Sequence, residues 1–249
     1  MAKLGTVAGS FSRKTLHEQL VRHLGASILR GEFKPGDALP SEPEFCLQLD
    51  VSRIALREAL KVLAAKGLVE SRPKTGTRIR PRAAWNLLDP DVLAWQHEAG
   101  PDPDFLRNIT DVRFIIEPAA ARRAARRATP DDITTLEAWY RRMQIALDDT
   151  ETFIGADLQF HGAILAASHN ELLQQMGATI DAALRASRAI TVHVPGANAA
   201  SMPRHWAVVM AIRDHDEDAA EGAMIDLITE AATDIDRGLH PDDAASQSL

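Results

Sequence analysis

Hydrophobic residues in the first third of the chain recur at helical spacing, in segments separated by short polar turns. The first segment, residues 16–29, ends before a glycine and a Pro-Gly pair that favour a turn. The second follows Ser41 and the third follows Ser52, and serine is a residue type that caps helix N-termini. The apolar residues of the last two segments are Phe45, Leu47, Leu49, Leu56, Leu60 and Leu63. The pattern predicts three helices, the last two joined by a tight turn at 50–51.

Two arginines distinguish the third predicted helix. Arg53 and Arg57 are four residues apart, so they share a face, and that face is not the leucine face. A helix that packs one side on a small domain can present such arginines to the major groove, where they donate to guanine or bind phosphate. For one helix taken alone, a pair of solvated arginines is the simpler interpretation.

Two predicted short strands follow the third helix, and they make the DNA-binding interpretation of the arginines the better one. Residues 68–71 and 78–80 favour extended structure, and the turn RPKTGT at 72–77 between them is basic and contains a glycine. Strands around such a turn form a wing, whose backbone amides and lysine can reach phosphates or the minor groove. Together the helices and the wing predict a winged helix-turn-helix that binds double-stranded DNA.

The stretch GEFKPGDALPSEPEF…VSRIALREAL…GLVESRPKTGTRI resembles the GntR-type winged helix, over residues 11–80. The resemblance implies DNA contacts from the third helix and from the wing. Pro43 stands where some relatives carry a basic residue, so this protein lacks that contact and its operator sequence cannot be inferred from theirs. The residues that we expect to contact DNA are Ser41, Ser52, Arg53, Arg57, Arg72, Lys74, Thr75, Gly76 and Thr77.

The distribution of charge agrees with a DNA-binding module attached to a different kind of domain. The formal net charge of the 249 residues is −7. Residues 1–82 hold 15 Lys and Arg against 8 Asp and Glu, a balance of +7, whereas the remainder holds 13 against 27, a balance of −14. A basic module joined to an acidic one fits a DNA reader with a sensor.

Cysteine usage and hydropathy bear on the compartment. Cys46 is the only cysteine, which excludes an intramolecular disulfide and favours a small core residue in a reducing compartment. The N-terminus lacks the apolar run of a secretion signal, and no stretch approaches the roughly 18–20 apolar residues of a membrane span. We therefore expect a cytoplasmic protein with no membrane partner.

From residue 83 onward the periodicity is helical nearly everywhere, which predicts an all-α second domain and a mainly α protein. The predicted helices lie near 89–99, 102–125, 130–148, 151–167, 170–191, 203–214 and 216–238. The segment 194–203 is the longest predicted break and a candidate pocket rim. We expect a DNA-binding domain at 1–82, an interdomain segment at 83–100, an effector-binding and dimerisation domain at 101–238 and a flexible tail at 239–249.

Four polar side chains in the second domain are candidates for chemistry. Asp157 and His161 are four apart on one predicted helix, a spacing that suits a divalent cation, a polar ligand or a structural hydrogen bond. His205 opens a later helix, either as a ligand or as a capping or packing residue. Arg113 lies on an apolar helix and needs a carboxylate, from Glu117 one turn away or from a ligand.

Three segments, VRFIIEPAAARRAA, ADLQFHGAILAASHNELL and RHWAVVMAIRDHDEDAAEGAM, resemble the signature helices of the FadR-subfamily ligand-binding domain, the FCD type. In that subfamily an aspartate and three histidines commonly hold a metal beside an acid effector. The resemblance implies that Asp157, His161 and His205 are ligands of this kind. The third histidine position falls on Leu227, which cannot ligate.

The leucine leaves three outcomes open. A divalent metal such as zinc could be held by three protein ligands plus water or effector. Asp226 or His193 could replace the missing ligand. In the third outcome no metal is bound, and the polar side chains bind the effector directly.

The segment WNLLDPDVLAWQ at 85–96 and the missing histidine resemble a subgroup of these regulators that controls D-galactonate operons, which implies a sugar-acid effector such as an aldonate. Its carboxylate would bind Arg113, and its hydroxyls would bind the Asp and His candidates. A homodimer would place two third helices one helical turn apart on a palindromic operator, and effector binding would change their spacing. Trp85 and Trp95 would either pack between the domains or anchor a core.

Other functions fit parts of the sequence. The His215-Asp216 pair suggests an all-α metal hydrolase, but the chain has no further ligand set, nucleophile elbow, P-loop or dinucleotide motif. A constitutive DNA binder fits the loss of a ligand at Leu227, and a uronate or a lactate-type hydroxy acid is an alternative effector. The interpretation carried forward is a repressor of sugar-acid catabolism and not an enzyme.

Overall fold

The basic N-terminal sequence builds the first of two units, which divide after Gly100. The computed structural model describes residues 13–72, 76–100, 102–191, 194 and 196–239. The elements of the first unit are α1 (Arg13–Leu29), α2 (Glu42–Leu49), α3 (Arg53–Ala65), β1 (Val69–Arg72), β2 (Gly76–Ile79) and α4 (Pro90–Ala99). The two strands pair antiparallel, with Val69 opposite Ile79. The predicted winged helix-turn-helix is confirmed.

The turn between α2 and α3 is made by three residues that the sequence identifies. Asp50 ends α2 in the left-handed region at φ 54°, and the following amide of Val51 donates to the carbonyl oxygen of Cys46 at 3.1 Å. Aspartate tolerates this conformation better than most residues. Ser52 then caps α3, its Oγ accepting from the amide of Ala55 at 3.2 Å. This turn fixes where the N-terminus of α3 lies on the unit.

The core of the first unit forms where one face of each helix is apolar. Its fully buried members include Leu20, Leu24, Phe45, Leu49, Leu56 and Leu63. Leu47, which the sequence analysis grouped with its neighbours, is instead 84% exposed. Phe45 and Leu49 are one helical turn apart and share a face, whereas the residue between them lies on the other side.

Residues 83–100, expected to be an interdomain segment, lie within the first unit, and α4 packs on α1. Trp85 and Trp95 are both buried in its core, which favours the anchoring role over packing between domains. Gly25 on α1 makes this possible, because a Cβ there would lie 2.2 Å from Cε3 of Trp95. Glycine therefore lets the indole approach the α1 backbone.

The second unit is built from helices throughout the part that the structure describes. They are α5 (Pro103–Arg127), α6 (Pro130–Ile145), α7 (Thr150–Ala167), α8 (Glu171–Gln175), α9 (Gly177–Thr191), α10 (Ala197–Arg213) and α11 (Glu217–Leu239). Side chains of Asp102, Thr129, Asp149 and Asn170 cap four of them. The central helix α7 is mostly apolar and is buried against α5, α6 and α9.

The predicted break at 194–203 is wrong for most of its length. Helix α10 begins at Ala197, so Pro203 lies inside the helix and not at its start. Proline removes the backbone donor to the carbonyl oxygen of Ala199, but three of the six preceding residues are alanine, the strongest helix former. The extra turns bring Ser201 and Arg204 to the functional cluster described below.

None of the described helices is both long enough and apolar enough to cross a bilayer.

Candidate functional site

The N-terminal end of α3 presents a mixed polar and apolar surface. Arg53, Ile54 and Arg57 are all exposed, with Ile54 at 77%. Arg57 Nε donates to both carboxylate oxygens of Glu42 on α2, at 3.0 and 3.1 Å. The arginines thus face solvent as predicted, and Glu42 orients one of them. Ile54, which the sequence analysis did not single out, is the kind of side chain that contacts thymine methyl groups.

The two serines expected at the DNA surface both cap helices. Ser41 is exposed before α2, where its amide and hydroxyl donate to Oε2 of Glu44 at 3.1 and 2.7 Å. Ser52 is exposed at the start of α3, and its Oγ is engaged with the helix backbone. Both residues therefore shape the helix ends that face solvent beside Arg57.

The wing carries the remaining predicted DNA contacts. Gly76 begins β2 at φ 79°, a conformation that glycine adopts without strain. Thr77 Oγ1 lies 3.1 Å from the hydroxyl oxygen of Ser71 across the strands, and Arg72 pairs with Glu70 at 2.7 Å. Lys74 and Thr75 lie outside the described residues.

In the second unit, the helical bundle brings the predicted Asp and His residues together. Asp157 and His161 lie on α7, and His205 lies on α10, 48 positions from the aspartate. His205 Nε2 is 3.0 Å from Asp157 Oδ1, and His161 Nε2 is 3.9 Å from the same oxygen. All three side chains are buried, and one ligand atom from each lies within 4.8 Å of the others. Among the described residues, this is the one group of at least three His, Cys, Asp or Glu side chains that lie close enough together to hold a metal ion.

A second carboxylate orients the first histidine. Arg113 Nε donates to Glu117 Oε1 at 2.6 Å, so the predicted internal pair is confirmed. The other oxygen of Glu117 lies 2.6 Å from His161 Nδ1. Burial alone raises the pKa of Glu117, but the charge of Arg113 and the contact with His161 lower it to about 2. The carboxylate is therefore ionised at neutral pH and directs His161 Nε2 toward Asp157.

Arg188 on α9 completes the cluster and was missed by the sequence analysis. Its Nε and Nη2 donate to Asp157 Oδ2 and Oδ1 at 3.0 and 2.7 Å, and its guanidinium lies 5.5 Å from the ring centroid of Phe153. Burial raises the pKa of Asp157, yet the positive charge of Arg188 and the bond from His205 hold it well below its usual value. Burial lowers the pKa of His205, although Asp157 opposes that effect.

Beside this cluster lies a small cavity of about 20 Å³, which has room for about one water molecule. The cluster members Arg113, His161 and Arg188 line it, and so does Leu227, where the third family histidine would stand. The remaining lining residues are Ser201, Arg204, Glu230, Ala231 and Asp234. A ligand larger than water therefore requires side chains to move.

Asp226 and His193 are the two candidates to replace the missing third histidine, and neither provides a metal ligand among the described side chains. Asp226 is exposed, whereas its neighbour Leu227 is 3% exposed and lines the cavity. His193 lies outside the described residues. The expectation that Asp226 substitutes is corrected, because successive residues on a helix point about 100° apart.

Two features of the cluster favour a cation. Each histidine turns Nε2 toward Asp157 and has an oxygen close to its Nδ1. For His205 this oxygen is the Ser201 carbonyl, a hydrogen-bond partner at 2.9 Å, and for His161 it is Glu117 Oε2 at 2.6 Å, a close ionic contact without hydrogen-bond geometry. Histidines that ligate metals are commonly oriented by such a partner. A neutral imidazole also carries a single N–H, so one of the two oxygen contacts of His205 lacks a proton.

Arg188 and Leu227 oppose a divalent metal. The guanidinium already neutralises Asp157, the anionic member of the ligand group. A dication about 4 Å from a guanidinium is repelled by about 8 kcal/mol at an effective dielectric constant of about 20. The side chains are spaced for a metal, but they do not fit one while Arg188 holds Asp157.

Comparison with known proteins places these two sites in a known combination. A family model described as bacterial regulatory proteins, gntR family, matches residues 16–79, and the FCD domain matches residues 108–230. The galactonate operon transcriptional repressor of Escherichia coli K12 is 38% identical over 85% of this chain and 93% of its own length. The chain belongs to the gntR family of bacterial regulatory proteins.

Further relatives also match this gntR-family chain over most of their length. The HTH-type transcriptional repressor NanR of Klebsiella aerogenes is 32% identical over 86% of this chain and 82% of its own length. A solved structure of Lar, described as controlling the expression of the Listeria monocytogenes agr system, superposes with a TM-score of 0.67. It is 19% identical, over 92% of this chain and 99% of that one, and supports the fold alone.

Proposed function

We propose that this gntR-family regulator represses genes of sugar-acid catabolism and leaves its operator when an aldonate binds the second unit. The observation that carries the proposal is the buried cluster of two arginines, two histidines and two carboxylates, of which Arg113, His161 and Arg188 line a cavity. The galactonate operon repressor, which matches over most of its length, supports an aldonate as the first candidate.

Arg113 is the proposed receptor for the effector carboxylate. It lines the cavity, and its hydrogen bond among the described residues uses Nε alone. Its two terminal nitrogens are therefore available for a bidentate interaction, the geometry in which arginine binds carboxylates most strongly. In a buried site such a contact is weakly screened by salt.

Asp157, His161 and His205 are the proposed partners for the effector hydroxyls. A hydroxyl both donates and accepts, so it complements the lone pairs of a carboxylate and of an imidazole at once. A fatty acyl chain would leave the same buried groups unpaired, which is unfavourable. The chemistry of the cavity therefore favours a small, polyhydroxylated acid.

Effector binding must also open the cavity, which suggests how the two functions are coupled. A ligand with several carbons does not fit into about 20 Å³, so the helices that carry the cluster have to move apart. In a homodimer on a palindromic operator, a change in the spacing of the two α3 helices weakens DNA binding. By thermodynamic reciprocity, operator DNA then weakens effector binding by the same factor.

The proposal is tested by fluorescence anisotropy on DNA upstream of the protein's own gene cluster. We expect the free protein to bind and D-galactonate, or another aldonate from a panel, to release it. The panel also contains uronates and lactate, which cover the alternative effectors, and a melting screen identifies acids that stabilise the protein. Operator binding that no acid changes would leave the constitutive DNA binder as the better reading.

A metal-assisted site is the competing form of this proposal, with zinc or another dication held by Asp157, His161 and His205. The histidine orientations support it, and Arg188 speaks against it. The same melting screen repeated with chelator separates the two forms. Loss of effector stabilisation on chelation would favour the metal.

A further inference from the structure

We propose that Arg188 is the resident cation of the cluster, so that the second unit folds and binds its effector without a divalent metal. The inference concerns the composition of the site and does not depend on which acid the regulator recognises. It assigns a role to a side chain that lies 31 residues from its partner in sequence.

Both carboxylate oxygens of Asp157 already have partners within the protein. Oδ2 accepts from Arg188 Nε, and Oδ1 accepts from Arg188 Nη2 while also facing His205 Nε2. A metal shared with the histidines would have to bind Oδ1, the oxygen that both of these groups already contact. The fork of Arg188 and a metal are therefore alternative partners of one carboxylate.

The buried charges of the cluster balance one another. Asp157 and Glu117 carry two negative charges, and Arg113 and Arg188 carry two positive ones, all on buried side chains. The carboxylate of Asp234, which also lines the cavity, is paired with the half-exposed Arg237 at 2.9 Å. With neutral histidines the cluster is neutral as it stands. A bound dication would leave two uncompensated positive charges away from water, which is strongly unfavourable.

Arg188 is fixed in its position. Its guanidinium lies over the ring of Phe153, 5.5 Å from the centroid, and Phe153 is itself fully buried. Both of its hydrogen bonds to Asp157 have ordinary lengths. Leu227 removes the ligand that could compete with this arrangement, because a buried leucine offers a metal nothing. Arg188 and Leu227 thus both disfavour binding of a divalent metal.

The experiment measures zinc bound to the full-length protein after equilibration with zinc sulfate and gel filtration, by mass spectrometry of the metal. We expect the wild-type protein to retain no stoichiometric zinc and its melting temperature not to change with chelator. The double variant Arg188→Gln with Leu227→His frees Asp157 and supplies a fourth ligand. It should retain zinc and melt higher with zinc than with chelator.

A matched control uses the exposed arginine one turn earlier on α9. Arg185→Gln with Leu227→His has the same new ligand but keeps Arg188, which competes with zinc for Asp157. Its zinc affinity should therefore be weaker by about tenfold or more, which corresponds to about 1.4 kcal/mol or more. Equal zinc affinity of the two double variants would overturn the proposal. Stoichiometric zinc in the wild-type protein would do so even if neither variant folds.

These readouts need no effector, so they separate this inference from the proposed function. A metal-free protein that no acid releases from DNA would contradict the function and leave Arg188 in its role. A zinc-containing protein that an aldonate releases from DNA would support the proposed function and contradict the role of Arg188.

Discussion

Removal of the Arg188 guanidinium tests the energetic logic of the cluster. Asp157 is fully buried, and its two hydrogen bonds to Arg188 are its link to a permanent positive charge. Arg188→Ala leaves an uncompensated buried carboxylate, a change that costs about 3–5 kcal/mol in the free energy of unfolding. At about 2–4 °C per kcal/mol for a chain of this size, the melting temperature should fall by about 6–20 °C.

The loss of stability in Arg188→Ala should depend on pH in a definite direction. In the wild-type protein the pKa of Asp157 is depressed, so its stabilisation is present above the ordinary value of 3.8 and is lost as the pH falls below it. In Arg188→Ala the depressing charge is gone and burial raises the pKa of this carboxyl. Protonation then relieves the variant as the pH is lowered from neutrality, and its difference from wild type should shrink.

The assay is denaturant unfolding followed by circular dichroism between neutral and acidic pH. Arg185→Ala on the same helix is the control, because Arg185 is half exposed and its pair with Asp181 contributes about 0–1 kcal/mol. Adding Asp157→Asn to Arg188→Ala should restore part of the lost stability, since it removes the buried charge. An Arg188→Ala variant as stable as the Arg185→Ala control would refute the reasoning.

Three further predictions follow from other parts of the molecule. Gly25→Ala should lower the stability of the first unit by about 1–3 kcal/mol through its clash with Trp95, whereas Gly155→Ala, with open space around its Cα, should be neutral or stabilising in the same unfolding assay. Arg53→Ala should weaken operator binding and, if the contact is to phosphate, reduce the slope of log affinity against log salt by about one; an unchanged affinity would exclude it from the interface. Arg113→Ala should keep operator binding and lose release by the acid, which anisotropy with and without effector detects; release at wild-type concentrations would remove Arg113 from the effector site.

The cluster illustrates how one buried charge pattern can serve both stability and recognition. Each guanidinium is held by a carboxylate from the protein, so the unliganded state contains no isolated buried charge. The terminal nitrogens of Arg113 remain for the proposed acid effector. Under the proposed function, the acid would therefore bind without any charge of the cluster first becoming unpaired.

Local features of this protein were readable from the sequence because they depend on residues within one helical turn. The cap by Ser52, the left-handed Asp50 and the common face of Arg53 and Arg57 all follow from spacing and residue type. The pairing of Arg113 with Glu117 follows for the same reason. The family resemblance added the meeting of α7 with α10, which periodicity alone does not imply.

Tertiary structure alone decided the rest. Arg188 reaches Asp157 from another helix, and the packing of Trp95 on Gly25 depends on how α4 lies on α1. Neither relation leaves a periodic signal, because each depends on the angle and offset between two packed helices. The start of α10 before Pro203 belongs here too, since burial of the helix outweighed the local preference of proline for a helix start. The sequence determined which side chains were available, and helix packing determined which of them became partners.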